Sequence, residues 1–309
     1  MRSPLIAVVT AAMAAGPALA APAVVADIPP VHSLVARVMD GAGEPGLILP
    51  PGASPHGYAM RPSEAGMLSE ADVVFWVGKG LTPWLERSVA SLAGDAVSIQ
   101  LLEADGVEVL EMRGEAAFGH GEEDGDGHDH DHGHDHGDED PHAWLDPENA
   151  KVWLDVIAAT LAEADPENAD LYLENAAAGR AELDALEARI ETRVAPVRGR
   201  PFVVLHDAYH YFEHRFDIEA AGSLSISDAS DPGPARVAEI RDLIASLGPT
   251  CVFAEPQFEG RPLGMITEGA DVRTGILDPL GAGLEPGPAL YPALLDGLSE
   301  DLAECLAGG

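Results

Sequence analysis

The sequence predicts an α/β fold in two halves joined by one long helix, and three observations carry that prediction. Short apolar runs rich in valine, isoleucine and leucine alternate with amphipathic helical patterns. The runs form two groups: 24–28, 47–49, 73–77 and 97–101 in the first half, and 202–205, 218–221, 252–254 and 274–277 in the second. Between the groups, Asp165 and Pro166 supply an N-cap and first-turn pair, and Leu183, Leu186, Ile190 and Val194 hold one apolar stripe until Pro196 interrupts it. At 1.5 Å per residue such a helix runs roughly 40 Å, long enough to form a spine between two lobes.

Residues 1–20 read as a secretory signal peptide. Arg2 precedes an apolar run over 5–15, a Gly16-Pro17 break and an Ala18-Leu19-Ala20 cleavage site. The alternative is a membrane anchor, but a run of about eleven residues falls short of the roughly 20 that span a bilayer. No cysteine follows it to serve as a lipoprotein attachment point. The mature chain is therefore expected in solution, in the periplasm of a cell with two membranes. About 289 residues remain after cleavage, enough for two domains. The expected division is an N-terminal lobe over 21–165, a linking helix over 166–194 and a C-terminal lobe over 195–309.

Within the first lobe a shorter helix starts at Asp146-Pro147 and turns Val152, Trp153, Val156, Ile157 and Leu161 inward. The sequence DPENA occurs at 146 and again at 165, which reads as reused capping chemistry and not as a duplicated domain. The formal charge of −36 excludes nucleic acid, which a polyanion repels. Cys251 and Cys305 are the two cysteines. In an oxidising compartment they are expected to pair, constraining the unfolded chain by on the order of 4 kcal/mol in the entropy model; two buried thiols are the alternative.

Histidine is the chemically informative residue. Seven of the 12 histidines lie between His120 and His142, interleaved with ten carboxylates. Imidazole and carboxylate together select a divalent transition metal. The run HDHDHGHDH at 128–136 is too polar and glycine-rich to offset its ordering entropy, so a flexible His/Asp-rich loop is expected over about 115–140. Its His120, His128, His130, His132, His134 and His136 form an accessory metal tract and not one defined site.

An ordered site needs residues at the carboxyl ends of strands, where open α/β sheets gather ligands. His206 follows the run 202–205, and His56 follows 47–49 through the turn PPGASP. His142 precedes the capped helix at Asp146. Asp278 ends the run 274–277 and Glu255 ends 252–254. His32 lies in a helical pattern without a partner and reads as structural. His210 and His214 continue from His206 at four-residue spacing, a legitimate zinc spacing, but are expected to run along a helix away from the cleft.

At these residues the chain resembles a known family. GASPH at 52–56 with Tyr58 and Arg61-Pro62-Ser63, PHAWLDPENA at 141–150, HDAYHYFE at 206–213, FAEPQF at 253–258 and LDPLG at 277–281 are similar to the zinc-specific, ZnuA-type members of the cluster A-I metal solute-binding proteins. The resemblance implies two Rossmann-like lobes joined by one rigid backbone helix, with metal held between them. It implies Zn2+ ligands at His56, His142 and His206, a fourth at Asp278 or a water, a histidine-rich loop ahead of the second motif, and a disulfide matching Cys251 and Cys305. Manganese-specific relatives place a carboxylate at the position of His206, so the imidazole argues for zinc, which takes nitrogen at about 2.0 to 2.1 Å in tetrahedral geometry. It further implies delivery to an inner-membrane ABC permease and its ATPase, a monomer, and a loop that collects or senses zinc or accepts it from a periplasmic zinc chaperone. Affinity is expected to fall in acid, because only neutral imidazole coordinates. His210 departs from the family, which commonly has glycine there.

Two other classes share the donor set. A zinc hydrolase would use three histidines and a water, but the sequence carries no H-E-x-x-H or other hydrolytic signature. A periplasmic zinc buffer or an adhesin-like relative would lack the permease.

Overall fold

The computed structural model of the protein describes residues 21–113, 117–118, 139–225, 232–257 and 261–308. The segment 1–20 and the tract from His120 to His136 lie outside them. The first lobe contains β1 (Val24–Ala26), α1 (Pro29–Val38), β2 (Gly46–Leu47), α2 (Pro62–Ser69), β3 (Val73–Trp76), α3 (Pro83–Leu92), β4 (Val97–Gln100) and α4 (Pro147–Ala164). After α5 (Ala169–Val194) come β5 (Phe202–His206), α6 (His210–Phe216), β6 (Gly222–Ser225), α7 (Pro234–Leu247), β7 (Thr250–Ala254), α8 (Arg261–Thr267), β8 (Val272–Ile276) and α9 (Leu290–Ala307). The strands form two four-stranded parallel sheets, ordered β2-β1-β3-β4 and β6-β5-β7-β8. The predicted class, two α/β lobes with a connecting helix, is the one observed.

α5 has 26 residues, roughly 39 Å at 1.5 Å each. Leu183, Leu186, Ile190 and Val194 are buried along its predicted stripe, and the helix packs on α1, α4 and α9. Gly179 allows the close crossing with α4, since a Cβ there would meet Leu154 Cδ1 at 3.0 Å. The helix starts three residues later than the Asp165-Pro166 signal suggested. Asp165 instead fastens the preceding turn, its Oδ2 accepting from Asn168 Nδ2 at 2.7 Å and Tyr172 Oη at 2.8 Å. Asp146 does cap α4, its Oδ1 accepting from the Glu148 amide at 2.8 Å. On α4, Trp153, Ile157 and Leu161 point inward as read, while Val152 and Val156 are half-buried and Leu154 is fully covered.

The strand expected at 218–221 lies later, at 222–225. Ile218 is buried, but it follows Asp217, a left-handed residue (φ 52°) that ends α6. The paired segment is Gly-Ser-Leu-Ser, aligned on β5 by Val203↔Gly222 and His206↔Ser225. Its polar composition conceals a buried strand. Cys251 on β7 and Cys305 on α9 form a disulfide with Cα atoms 6.2 Å apart, tying the last helix to the second sheet. One continuous apolar core runs through both lobes, from Val24 and Phe75 through Trp153 and Leu186 to Phe253 and Leu302. Among the described residues, no helix is long and apolar enough to cross a membrane.

At the carboxyl end of β1 the fully buried Asp27 closes the crest of the first sheet. Its Oδ1 accepts from the Ile28 amide at 2.8 Å and its Oδ2 from the Val77 amide at 2.9 Å. Burial pushes its carboxyl up to about 7 despite those hydrogen bonds. Between about pH 4 and pH 7 the folded chain therefore holds a proton that the unfolded chain has lost, and stability from this group falls as pH rises through that window. Asp27→Asn should flatten that part of the pH profile. It should also lower stability at about pH 5 by about 1–3 kcal/mol, because an amide nitrogen replaces one acceptor. Denaturant midpoints of both proteins from about pH 4 to pH 8 give the comparison; identical profiles would refute the assignment.

Candidate metal site

The three histidines singled out in the sequence, two after strand runs and His142 ahead of a capped helix, meet in the cleft between the lobes. His56, His142 and His206 each offer a ligand nitrogen, and those atoms lie within 4.8 Å of one another. Ring centroids are 5.4 Å apart for His56 with His142, 5.4 Å for His56 with His206 and 4.9 Å for His142 with His206. A zinc ion at 2.0–2.1 Å from tetrahedrally arranged imidazoles sets nitrogen separations of about 3.4 Å, inside that limit.

Each histidine is delivered by a different local device. His56 sits in the loop between β2 and α2, where Gly52 (φ +81°) makes the turn. The Trp84 indole donates to the Pro55 carbonyl at 2.7 Å, one residue before His56. Tyr58 packs on Trp84 and donates to Glu64 at 2.8 Å, and Glu64 also accepts from the Arg61 amide at the start of α2. His142 precedes a 3-10 turn (Ala143–Leu145) leading into α4. His206 is the last residue of β5. His142 and His206 are buried, while His56 is half-buried.

Carboxylates stand behind two of the rings. Asp140 Oδ1 lies 2.7 Å from His142 Nδ1 and 3.0 Å from the His142 amide. Glu255 Oε2 lies 3.3 Å from His206 Nδ1. A carboxylate on Nδ1 holds the proton there and leaves the Nε2 lone pair for a cation. Nε2 of His142 and of His56 is buried without a hydrogen bond to the described residues. Burial, followed by the neighbouring His142 and His206, pushes His56 down to about 2, so it stays neutral. Burial works against the ionised form of Asp140, but the adjacent His142 and the hydrogen bonds from His142 and His210 outweigh it and hold the carboxyl below its usual range. Two buried carboxylates thus offset a double positive charge that three neutral rings alone would leave uncompensated.

Asp278 is not in the cluster of converging ligand atoms. Its Oδ1 accepts from the amides of Leu280 at 3.1 Å and Gly281 at 3.0 Å, shaping the turn after β8. That turn is held near the site by Tyr209, which donates to the Leu277 carbonyl at 2.9 Å, and by Trp144, whose indole donates to the Pro279 carbonyl at 2.7 Å. His32 is buried against the Pro45 carbonyl at 3.1 Å, a structural role. His210 Nδ1 lies 3.5 Å from Asp140 Oδ2, in the layer behind His142, and His214 pairs with Glu108 at the surface. Asp140, placed by the sequence reading at the end of the flexible tract, is instead a buried part of the site. A D-x-H spacing was its only sequence signal. A second acidic group, Glu148, Asp184 and Glu187, surrounds the Lys151 ammonium, so a cation already occupies it.

Comparison with known proteins gives a consistent answer. The family model described as zinc-uptake complex component A, periplasmic, matches residues 24–305. The chain is 42% identical over 305 residues to the high-affinity zinc uptake system protein ZnuA of Brucella suis, covering 92% of this chain and 91% of that one. Its fold is similar to a crystal structure of ZnuA, with a TM-score of 0.74 at 26% identity over 93% of this chain and 99% of the other. A zinc-bound ZnuA mutant lacking its residues 138–173 superposes with a TM-score of 0.73 at 27% identity, over 92% and 98%.

Replacing the carboxylate behind His142 gives a direct check on this geometry. Asp140→Ala should weaken zinc binding by roughly 10- to 100-fold, the usual cost of losing such a partner, and Asp140→Asn by less, because an acceptor remains. Competitive titration against a chelator reads the effect; an unchanged constant in Asp140→Ala would remove Asp140 from the site.

Proposed function

Because the chain belongs to the family of periplasmic zinc-uptake component A proteins, we propose that it captures Zn2+ with His56, His142 and His206 and delivers it to an inner-membrane ABC permease driven by its ATPase. The convergence of three imidazoles from both lobes on one partly covered point carries this reading. The chain is a zinc-binding transport component and not an enzyme. Zinc is its cargo: the ion exchanges water for neutral nitrogen, and Asp140 and Glu255 stabilise the resulting charge from behind. The fourth position goes to Asp278 or a water. Asp278 becomes a ligand if the turn at 277–281 brings its carboxylate toward the three rings.

The tract at 120–136 acts in this reading as an accessory collector that raises the local zinc concentration beside the cleft, or as a sensor of excess zinc. A periplasmic chaperone is a further source of the metal, and the working form is a monomer exported by the segment 1–20. The tract's useful boundary is residue 138, since Glu139 pairs with Glu111 and Asp140 holds His142.

Chelator-competed zinc titration separates the two kinds of site. His142→Ala and His206→Ala should each lose more than the roughly 10- to 100-fold that an outer partner costs. Deletion of 120–138 should lower the number of ions bound and leave the tight constant unchanged. A tight constant preserved in both histidine variants would overturn the ligand assignment, and loss of all binding in the deletion would make the tract the site.

A further inference from the structure

The chain approaches the histidine tract along a strap that crosses from the first lobe to the second. The Leu110 amide donates to Tyr211 Oη at 3.0 Å, and Tyr211 Oη donates to the Asp140 carbonyl at 2.8 Å. Glu111 pairs antiparallel with Glu139, and the Asp140 amide donates to the Leu110 carbonyl at 2.8 Å. Further on, Ala117 pairs antiparallel with Gly222, and the Phe118 amide donates to the Ala221 carbonyl at 2.8 Å, so the strap extends the free edge of β6.

Between these anchors Arg113 reaches into the second lobe. Its Nε lies 3.1 Å from Asp207 Oδ2 and its Nη2 bonds Asp207 Oδ1. Its Nη1 lies 2.7 Å from Glu213 Oε2 and its Nη2 3.1 Å from Glu213 Oε1. The guanidinium also covers the Phe118 ring at 3.9 Å. Both carboxylates are almost fully covered, with 5% and 3% of their side chains exposed. Asp207 directly follows His206, and its amide donates to the Ser225 carbonyl at 3.0 Å. Glu213 Oε2 also accepts from the Ala220 amide at 3.0 Å. The turn that presents His206 is thus gripped by its backbone from β6 and by its carboxylates from the strap.

We propose that Arg113 is a positioning residue for metal capture: its fork on Asp207 and Glu213 fixes the His206 turn and makes the root of the histidine tract a further tie between the lobes. This rests on the reading of His206 as a ligand. Without the guanidinium, two carboxylates face each other under cover and the turn relaxes away from His56 and His142. Lysine keeps the charge but not the planar fork, so it cannot hold both carboxylates in the same geometry.

The test uses the full protein as wild type, Arg113→Gln, Arg113→Lys and His206→Ala. Zinc affinity is measured by chelator competition, and ligand geometry by the visible spectrum of Co2+ bound in place of zinc. Arg113→Gln should weaken the tight site on the order of tenfold and alter the cobalt bands, with Arg113→Lys intermediate. A purely structural role would lower the unfolding midpoints of the metal-free and zinc-loaded forms alike and leave affinity and spectrum untouched. Wild-type affinity and cobalt bands in Arg113→Gln overturn the proposal, and where that variant does not fold, the same result in Arg113→Lys overturns it. His206→Ala keeps the two questions apart: its loss of tight binding leaves the reading of His206 as a ligand standing whatever Arg113 does, and tight binding retained in it sinks that reading.

Discussion

Everything at the cleft depends on compensating a doubly charged ion by groups that do not touch it. In the proposed site three neutral imidazoles would bind zinc without contributing charge, and a partly covered cleft makes the ion's charge costly to leave uncompensated. The protein places the anions one layer back, Asp140 on Nδ1 of His142 and Glu255 on Nδ1 of His206. Each carboxylate fixes a tautomer and adds negative potential at the same time. Acidic surface charge, large as it is at −36, lacks that directionality.

The fold supplies this arrangement because its two sheets present the carboxyl ends of parallel strands to a common cleft, and because the lobes share a core. Tyr291 on α9 donates to the Trp144 carbonyl at 2.7 Å, and its own amide bonds Ser33 on α1 at 2.9 Å. Trp144 passes the connection on to Pro279. With α5 packed on both sides and these ties below the site, large hinge opening would break buried apolar contacts and hydrogen bonds together. Metal exchange is then expected to proceed by movement of the loops that carry His56 and Asp278.

The architecture and the three histidines were legible because each rests on a strong local signal. Valine-rich runs mark buried parallel strands, a capped and proline-bounded stripe marks α5, His56 and His206 are placed by the strands they follow, and His142 by the capped helix it precedes. What stayed hidden has no such signature. β6 is Gly-Ser-Leu-Ser, polar in sequence yet buried by its neighbours. Asp140 was lost among the acidic residues of the tract, although its contacts with His142 and Tyr211 set it apart from them. Arg113 is a single cation in an acidic segment, and only the fold reveals that its partners stand about a hundred residues away.

The same geometry fits a site that captures an ion without performing chemistry on a substrate. Hydrolysis needs a carboxylate or imidazole free to take a proton from a metal-bound water. The carboxylates nearest the described site are engaged: buried Asp140 and Glu255 hold imidazole nitrogens, buried Asp207 and Glu213 hold Arg113, and Oδ1 of the half-buried Asp278 shapes a backbone turn. Each therefore stabilises the bound ion or the loops around it. A carboxylate committed to a far ring nitrogen strengthens that ligand and loses its usefulness as a base, so the arrangement that favours tight binding is the one that disfavours turnover.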